Sequence, residues 1–218
     1  MKKNIIRLFL IIINYFSYKS KIYYNIIMDA LIKNIYSRDL TGVDVQYLTN
    51  GKSKVLLYDD ITVNDNILDL IGETNQTLLL FPTQRGSIDG HWISITYQPK
   101  INTIFYFDSY GLSIEGELKY STSRHVQRNA LGTIIGNAVR SGINFVWNPI
   151  RLQVMENGIN TCGRFAAMRN RLAYLTNDEF VSLFIKQKET PDYLLTIMTF
   201  LSISTLNKDE EKLIMNVV

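Results

Sequence analysis

Two short runs of β-branched and aromatic residues, separated by a proline turn, constrain this chain more than any other feature. Trp92-Ile93-Ser94-Ile95-Thr96-Tyr97 alternates in character, Gln98-Pro99-Lys100 has turn chemistry, and Thr103-Ile104-Phe105-Tyr106-Phe107 returns. Runs of this kind suit a pleated, half-buried surface. A connection this short joins antiparallel neighbours, so the two runs are expected to form a hairpin. His91 then stands at the start of the first strand and Asp108 at the end of the second. Antiparallel pairing brings both to the same edge of the sheet.

The remaining pattern alternates between strand and helix periods. Residues 29–35 read as a short helix. Asp44–Leu48 and Val55–Leu57 precede short apolar elements, the second strand-like, and Thr77–Phe81 is an apolar run that stops at Pro82, as a buried strand does. Between residues 126 and 139, apolar side chains at 126, 130, 131, 134, 135, 138 and 139 make a helical stripe ending at Ser141-Gly142. Phe145–Ile150 is expected as a strand, followed by a polar loop through Gly158. Cys162–Leu175 reads as a helix with Phe165, Ala166, Leu172 and Ala173 facing in and Arg164, Arg169 and Arg171 facing solvent. Thr176 and Glu179 have capping-box spacing, and Pro191 takes the first position of a last helix. The sum is an α/β (α+β) domain, a central mixed β-sheet flanked by helices.

Composition bounds the function classes. The chain has 218 residues, of which 46% are apolar and 20% charged, enough to bury a core and too few charges for a disordered protein. The net charge of +3 permits weak attraction to polyanions without requiring it. Much of that charge lies in residues 1–27, which carry Lys2, Lys3, Arg7, Lys19 and Lys21 and no acid. The apolar run 8–13 is short for a signal sequence and lacks a cleavage site, and the nearby lysines forbid a spanning helix. Residues 1–27 are therefore expected to be a basic apolar extension outside the fold, with Met28 a candidate start and 28–218 a single domain; the competing reading is a short basic membrane-surface helix. Stable membrane insertion is not expected.

Cys162 is the single cysteine. No intramolecular disulfide can form, and a structural zinc site built on several cysteines is excluded. A lone cysteine suits a reducing compartment, where it is either an inert core residue or a reactive thiolate. Its neighbours, Asn160-Thr161-Cys162-Gly163-Arg164, favour the second reading. If Thr161 caps the helix, Cys162 stands at the helix N-terminus, where the macrodipole and free N–H groups favour a thiolate. Gly163 would let a substrate carbonyl approach the backbone. Of the two histidines, His91 is the candidate base, whereas His125, in the polar stretch 121–128, is expected on the surface. Both precede Cys162, which is the reverse of the papain order.

In sequence order, Gly90-His91-Trp92, Phe107-Asp108-Ser109-Tyr110-Gly111, Gln153 and Asn160-Thr161-Cys162-Gly163-Arg164 resemble the adenain-type, SUMO-protease-like clan of cysteine proteases. The likeness spans roughly residues 78–175 and looks greatest to virophage, polinton and large-DNA-virus maturation proteases. It implies an adenain-like fold, with Cys162 as nucleophile at a helix N-terminus, His91 as base and Asp108 orienting the imidazole. Gln153 would be the oxyanion donor, although Asn157 or Asn160 could supply that amide. Asp108 also has plain turn chemistry, and Trp92 could equally be hairpin packing. The implied activity is endopeptidase cleavage of viral or mobile-element structural precursors in the virion and the host-cell cytoplasm. The implied enzyme is a monomer without metal or cofactor, open to weak activation by DNA or a noncovalent peptide. The disulfide-linked activator of adenain has no spare cysteine here. Alternatives in the same clan are a SUMO or ubiquitin-like deconjugating protease and an acetyltransferase.

Overall fold

A computed structural model describes residues 32, 34–83, 90–123 and 129–200. The extension 1–27, the candidate start at Met28, and both His125 and Val126 lie outside the described residues. The expected first helix is described only in part, with residues 34–36 helical.

Five strands form one mixed sheet in chain order: β1 (Lys54–Leu57), β2 (Gln76–Pro82), β3 (Gly90–Gln98), β4 (Thr103–Phe107) and β5 (Asn144–Trp147). The outer pairs, β1 with β2 and β4 with β5, are parallel, and the inner pairs are antiparallel. The expected hairpin is β3–β4, in register with Ser94 opposite Phe107 and Gln98 opposite Thr103. Its connection is a 3-10 turn, Pro99–Ile101, closed by Asn102 at φ +46. The Asn102 side chain accepts from Tyr97 Oη at 2.8 Å and donates to Gly142 O at 2.9 Å. These bonds tie the turn to the entry of β5.

Both faces of the sheet are covered. On one, Leu79, Phe81, Ile93, Ile95, Ile104 and Tyr106 pack against α2 (Ile67–Ile71), α3 (Ile114–Leu118) and α4 (Ala130–Arg140). On the other, Leu78, Leu80 and Trp92 meet α1 (Gly42–Leu48) and Ala166 and Ala167 of α5 (Cys162–Arg171). The far side of α5 is closed by α6 (Asn177–Ile185) and α7 (Pro191–Phe200), through Phe165, Phe180, Phe184 and Leu195. Each such side chain contributes roughly 1.5–3 kcal/mol on burial. Thr41 with Asp44, and Thr176 with Glu179, form complete capping boxes at the starts of α1 and α6.

Several boundaries differ from the sequence reading. Within the stripe at 126–139 a helix starts at Ala130, where Asn129 at φ +38 caps it by accepting from Gly132 N. β5 stops at Trp147, since Asn148 Nδ2 turns back to donate to Asp108 O and Ile150 O. The helix headed by Cys162 ends at Arg171 rather than Leu175. Gln98 Nε2 there donates to the carbonyls of Ala173 and Leu175, both at 2.9 Å.

The larger correction concerns α5 itself. It runs between the sheet and α6–α7, so Arg164 and Arg169 are buried, and of the three arginines only Arg171 is exposed. Arg164 Nη1 donates to Thr199 Oγ1 at 2.9 Å. Arg169 Nε donates to Asn177 Oδ1 at 3.1 Å, with its guanidinium between the rings of Phe105 and Phe180. Gly163 also has a packing role. A Cβ there would meet Leu40 Cβ and Trp92 Cδ1 at 3.1 Å and Val45 Cγ1 at 3.2 Å. Gly163 is therefore favoured by the close packing of α5 on β3 and α1. Gly163→Leu should destabilise the protein by about 1–3 kcal/mol or more through overpacking. In urea denaturation, Arg171→Ala should stay within about 0.5 kcal/mol of the parent.

Candidate active site

β4 ends at Phe107, and the chain turns at once. Gly111 N donates to Asp108 O at 3.0 Å, and Gly111 sits at φ +74, where a Cβ would meet Pro149 O at 2.8 Å. The segment is thus a tight turn, and the same turn aims the Asp108 side chain at the start of β3. Asp108 is fully buried, and its Oδ1 accepts from His91 Nε2 at 2.9 Å and from Tyr110 N at 2.7 Å. The Tyr110 ring stacks on the imidazole with centroids 4.7 Å apart. Its phenol pKa is raised, chiefly by burial. His91 is therefore held at one nitrogen and along one face.

With Nε2 taken, Nδ1 is the ring nitrogen left for another partner. The Cys162 thiol lies within hydrogen-bonding range of the imidazole. Burial works against the imidazolium. Asp108, then Glu117, and the hydrogen bonds to Asp108 and Cys162 outweigh it and hold the His91 pKa well above the ordinary 6.5.

Cys162 is the first residue of α5 and is partly exposed. Thr161 occupies the position before it but does not cap the helix, because its hydroxyl donates to Asp192 Oδ1 instead. No side-chain cap therefore occupies the first turn of α5. The other oxygen of Asp192 accepts from Val154 N at 3.0 Å. Burial pushes the Asp192 carboxyl up, and the bonds from Thr161 and Val154 oppose this.

Gln153 is buried, with Oε1 accepting from Ser109 Oγ at 2.7 Å and Nε2 donating to Ile159 O at 3.0 Å. One N–H of its amide remains beyond those two bonds. The backbone N–H groups of Leu152 and Gln153 both donate to Ser109 O. Gln153 is thereby attached to the turn that holds Asp108. Of the two asparagines that could have replaced it, Asn157 is exposed. Asn160 donates its amide to Ser37 O and its backbone N–H to Tyr36 O.

The structure thus joins His91 to Asp108 directly, sets Cys162 near the imidazole, and connects Gln153 through Ser109. Trp92 packs beneath α5, its indole N–H donating to Leu40 O at 2.9 Å. Sequence reasoning gave no role to Tyr110, Asp192 or Glu117. A signal for the last did exist. Ile114, Glu117 and Leu118 follow helical spacing and are all buried, so Glu117 is an acid on an apolar face. It offers a carboxylate oxygen within 4.8 Å of ligand atoms of Asp108 and His91, and burial above all lifts its pKa to about 7, with His91 opposing and Asp108 adding.

No family model matches the chain. It is 26% identical over 166 residues to uncharacterised protein V9 of the Sputnik virophage, covering 73% of this chain and 93% of that one. The crystal structure of the ASFV pS273R protease superposes with a TM-score of 0.46 at 14% identity, over 77% of this chain and 68% of that one.

Asp108→Asn should lower the His91 pKa, followed by imidazole NMR against pH. A histidine raised on folding contributes stability that is full below 6.5 and lost as pH rises through its folded value. The variant should therefore lose most stability near pH ~5.5 and much less near pH ~9 in chemical denaturation. A loss equal at both pH values would show that charge on Asp108 is not what holds the imidazolium.

Proposed function

We propose that this chain is a cysteine endopeptidase in which Cys162 is the nucleophile, His91 its base and later acid, and Asp108 the group that orients the imidazole. The observation that carries the reading is the double engagement of one ring, with Asp108 on Nε2 and the Cys162 thiol within reach of the imidazole. The proton on Sγ passes to His91, and the thiolate attacks the scissile carbonyl carbon. The carbonyl oxygen becomes an oxyanion, which takes hydrogen bonds from the Cys162 backbone N–H and the free N–H of Gln153. His91 then returns its proton to the leaving amine, and water hydrolyses the thioester with His91 as base. The raised pKa of His91 favours the imidazolium that pairs with a thiolate, and Asp108 stabilises that charge without accepting its proton.

A viral or mobile-element structural precursor is the proposed substrate, cut after a small residue such as glycine. What supports the viral setting is the similarity to a virophage protein over most of both chains. The domain 28–218 is proposed to act as a monomer, with any activator bound noncovalently, since Cys162 is the single cysteine.

Two measurements test the reading. Purified protein should process the major structural precursor encoded beside it, and Cys162→Ser should abolish cleavage while the protein stays folded. Cleavage only of ubiquitin-like fusions, or acetyl transfer from acetyl-coenzyme A, would replace the proposal with another activity. Iodoacetamide should alkylate Cys162 rapidly at about pH 6, and His91→Ala should slow this sharply.

Gln153→Ala should lower kcat by about 10²–10³ with little change in KM. A loss below about fivefold would remove Gln153 from the oxyanion site.

A further inference from the structure

Asp108 has two oxygens in very different situations. Oδ1 takes both the His91 and Tyr110 donors, whereas Oδ2 is buried without a hydrogen-bond donor among the described residues. A solvent-free carboxylate oxygen left in that state is costly. The neighbouring group is the buried carboxyl of Glu117, which offers an oxygen within 4.8 Å of ligand atoms of Asp108 and His91, and a carboxyl can donate only when it is protonated. Two adjacent buried carboxyls do not both ionise readily.

We propose that Glu117 is a positioning residue, whose protonated carboxyl donates to Asp108 Oδ2 and fixes the carboxylate so that Oδ1 meets His91. The role deepens the peptidase reading and rests on it for its purpose, though not for its geometry. With Oδ1 and Oδ2 both engaged, the Asp108 plane cannot rotate, and the imidazole keeps the tautomer that leaves Nδ1 toward Cys162.

Among the described residues, the groups facing Glu117 are few. They are His91 from β3, Asp108 from the turn after β4, and Tyr106 from β4, whose phenol burial holds well above 10 and so keeps neutral. On its own helix, Glu115 accepts from Asn129 Nδ2 at 3.3 Å. α4, packed against α3, carries no ionisable side chain before Arg140. His91, Asp108 and Glu117 offer ligand atoms within 4.8 Å of one another, the dimensions of a cation site. The 2.9 Å contact between His91 and Asp108 leaves no room for an ion between those two atoms.

The test uses the full chain and needs no substrate. In the wild type, the NMR shifts of the His91 ring should show a separate inflection near pH 7, where Glu117 loses its proton. Glu117→Gln keeps a donor for Oδ2 and cannot ionise. It should remove the inflection, keep the downfield Nε2–H resonance, and alkylate Cys162 with iodoacetamide at the wild-type rate. Glu117→Leu has no donor and should lose that resonance and slow alkylation by about tenfold or more. Glu117→Leu behaving as wild type, the inflection persisting in Glu117→Gln, or Glu117→Gln as impaired as the leucine variant would each overturn the proposal. So would stoichiometric binding of zinc chloride that Glu117→Gln abolishes. If the leucine variant fails to fold, the Glu117→Gln titration still decides. Wild-type protein inert toward every peptide would sink the peptidase reading and leave this titration standing.

Discussion

Asp108 is a carboxylate with no solvent exposure, and the arrangement of the whole site follows from how its charge is accommodated. An isolated ion in such a place costs several kcal/mol, so it persists only with donors around it. The backbone of its own turn supplies one at 2.7 Å, and His91 supplies the other at 2.9 Å. That second donor reaches Asp108 only because β3 and β4 pair in the register that sets Ser94 opposite Phe107. A slip by one residue would send His91 to the opposite face of the sheet. Asn148, buried at the end of β5, donates to the Asp108 carbonyl, so the third strand of this half of the sheet also holds the turn. Sheet register, turn and ion pair are thus one constraint seen at three scales.

The other half of the site depends on how closely one helix approaches the sheet. Gly163, Ala166 and Ala167 present little volume toward Trp92 and Leu80, which lets α5 sit against β3. Polar bridges then fix its height. Asn170 accepts from Ser94 Oγ and donates to Ser53 Oγ at 2.9 Å. Buried amides in fully bonded networks specify one arrangement, because any sliding of the helix orphans several groups together. Cys162, at the end of this anchored rod, inherits its precision from residues two turns further along.

Local pattern accounts for what was legible in the sequence. The hairpin showed in its alternation and β-branched content, the start of α6 in its capping box, and the placement of Cys162 in the helical period of the residues after it. Long-range burial accounts for what was not. Arg164 and Arg169 looked like a solvated face because cations usually are, and their partners, Thr199 and Asn177, lie 35 and 8 residues away. The packing neighbours of Gly163, which are Leu40, Val45 and Trp92, were likewise not visible in the sequence. Boundaries failed where a single side chain redirected the backbone, as Asn148 does. Glu117 was visible in principle as an acid in an apolar stripe, but its significance depends on Asp108, which the sequence alone does not bring near.

The nine-residue separation between Gln153 and Cys162 shows how such a distance can be made irrelevant. Closing a loop costs entropy that grows only logarithmically with its length, so an extra residue or two changes little. What matters is how the ends are held. One carboxylate does this: Asp192, near the start of α7, takes Val154 N on Oδ2 and the Thr161 hydroxyl on Oδ1. The residues just inside each end of the loop are therefore clamped to one group on a third element. Gln153 is meanwhile fixed from outside the loop by Ser109 and from inside by Ile159 O. Thr161 gives up its capping bond to make this clamp, which leaves the first turn of α5 without a side-chain cap at the place where Cys162 presents its backbone N–H. The absence of a cap at that helix is thus a consequence of the same bond that closes the loop.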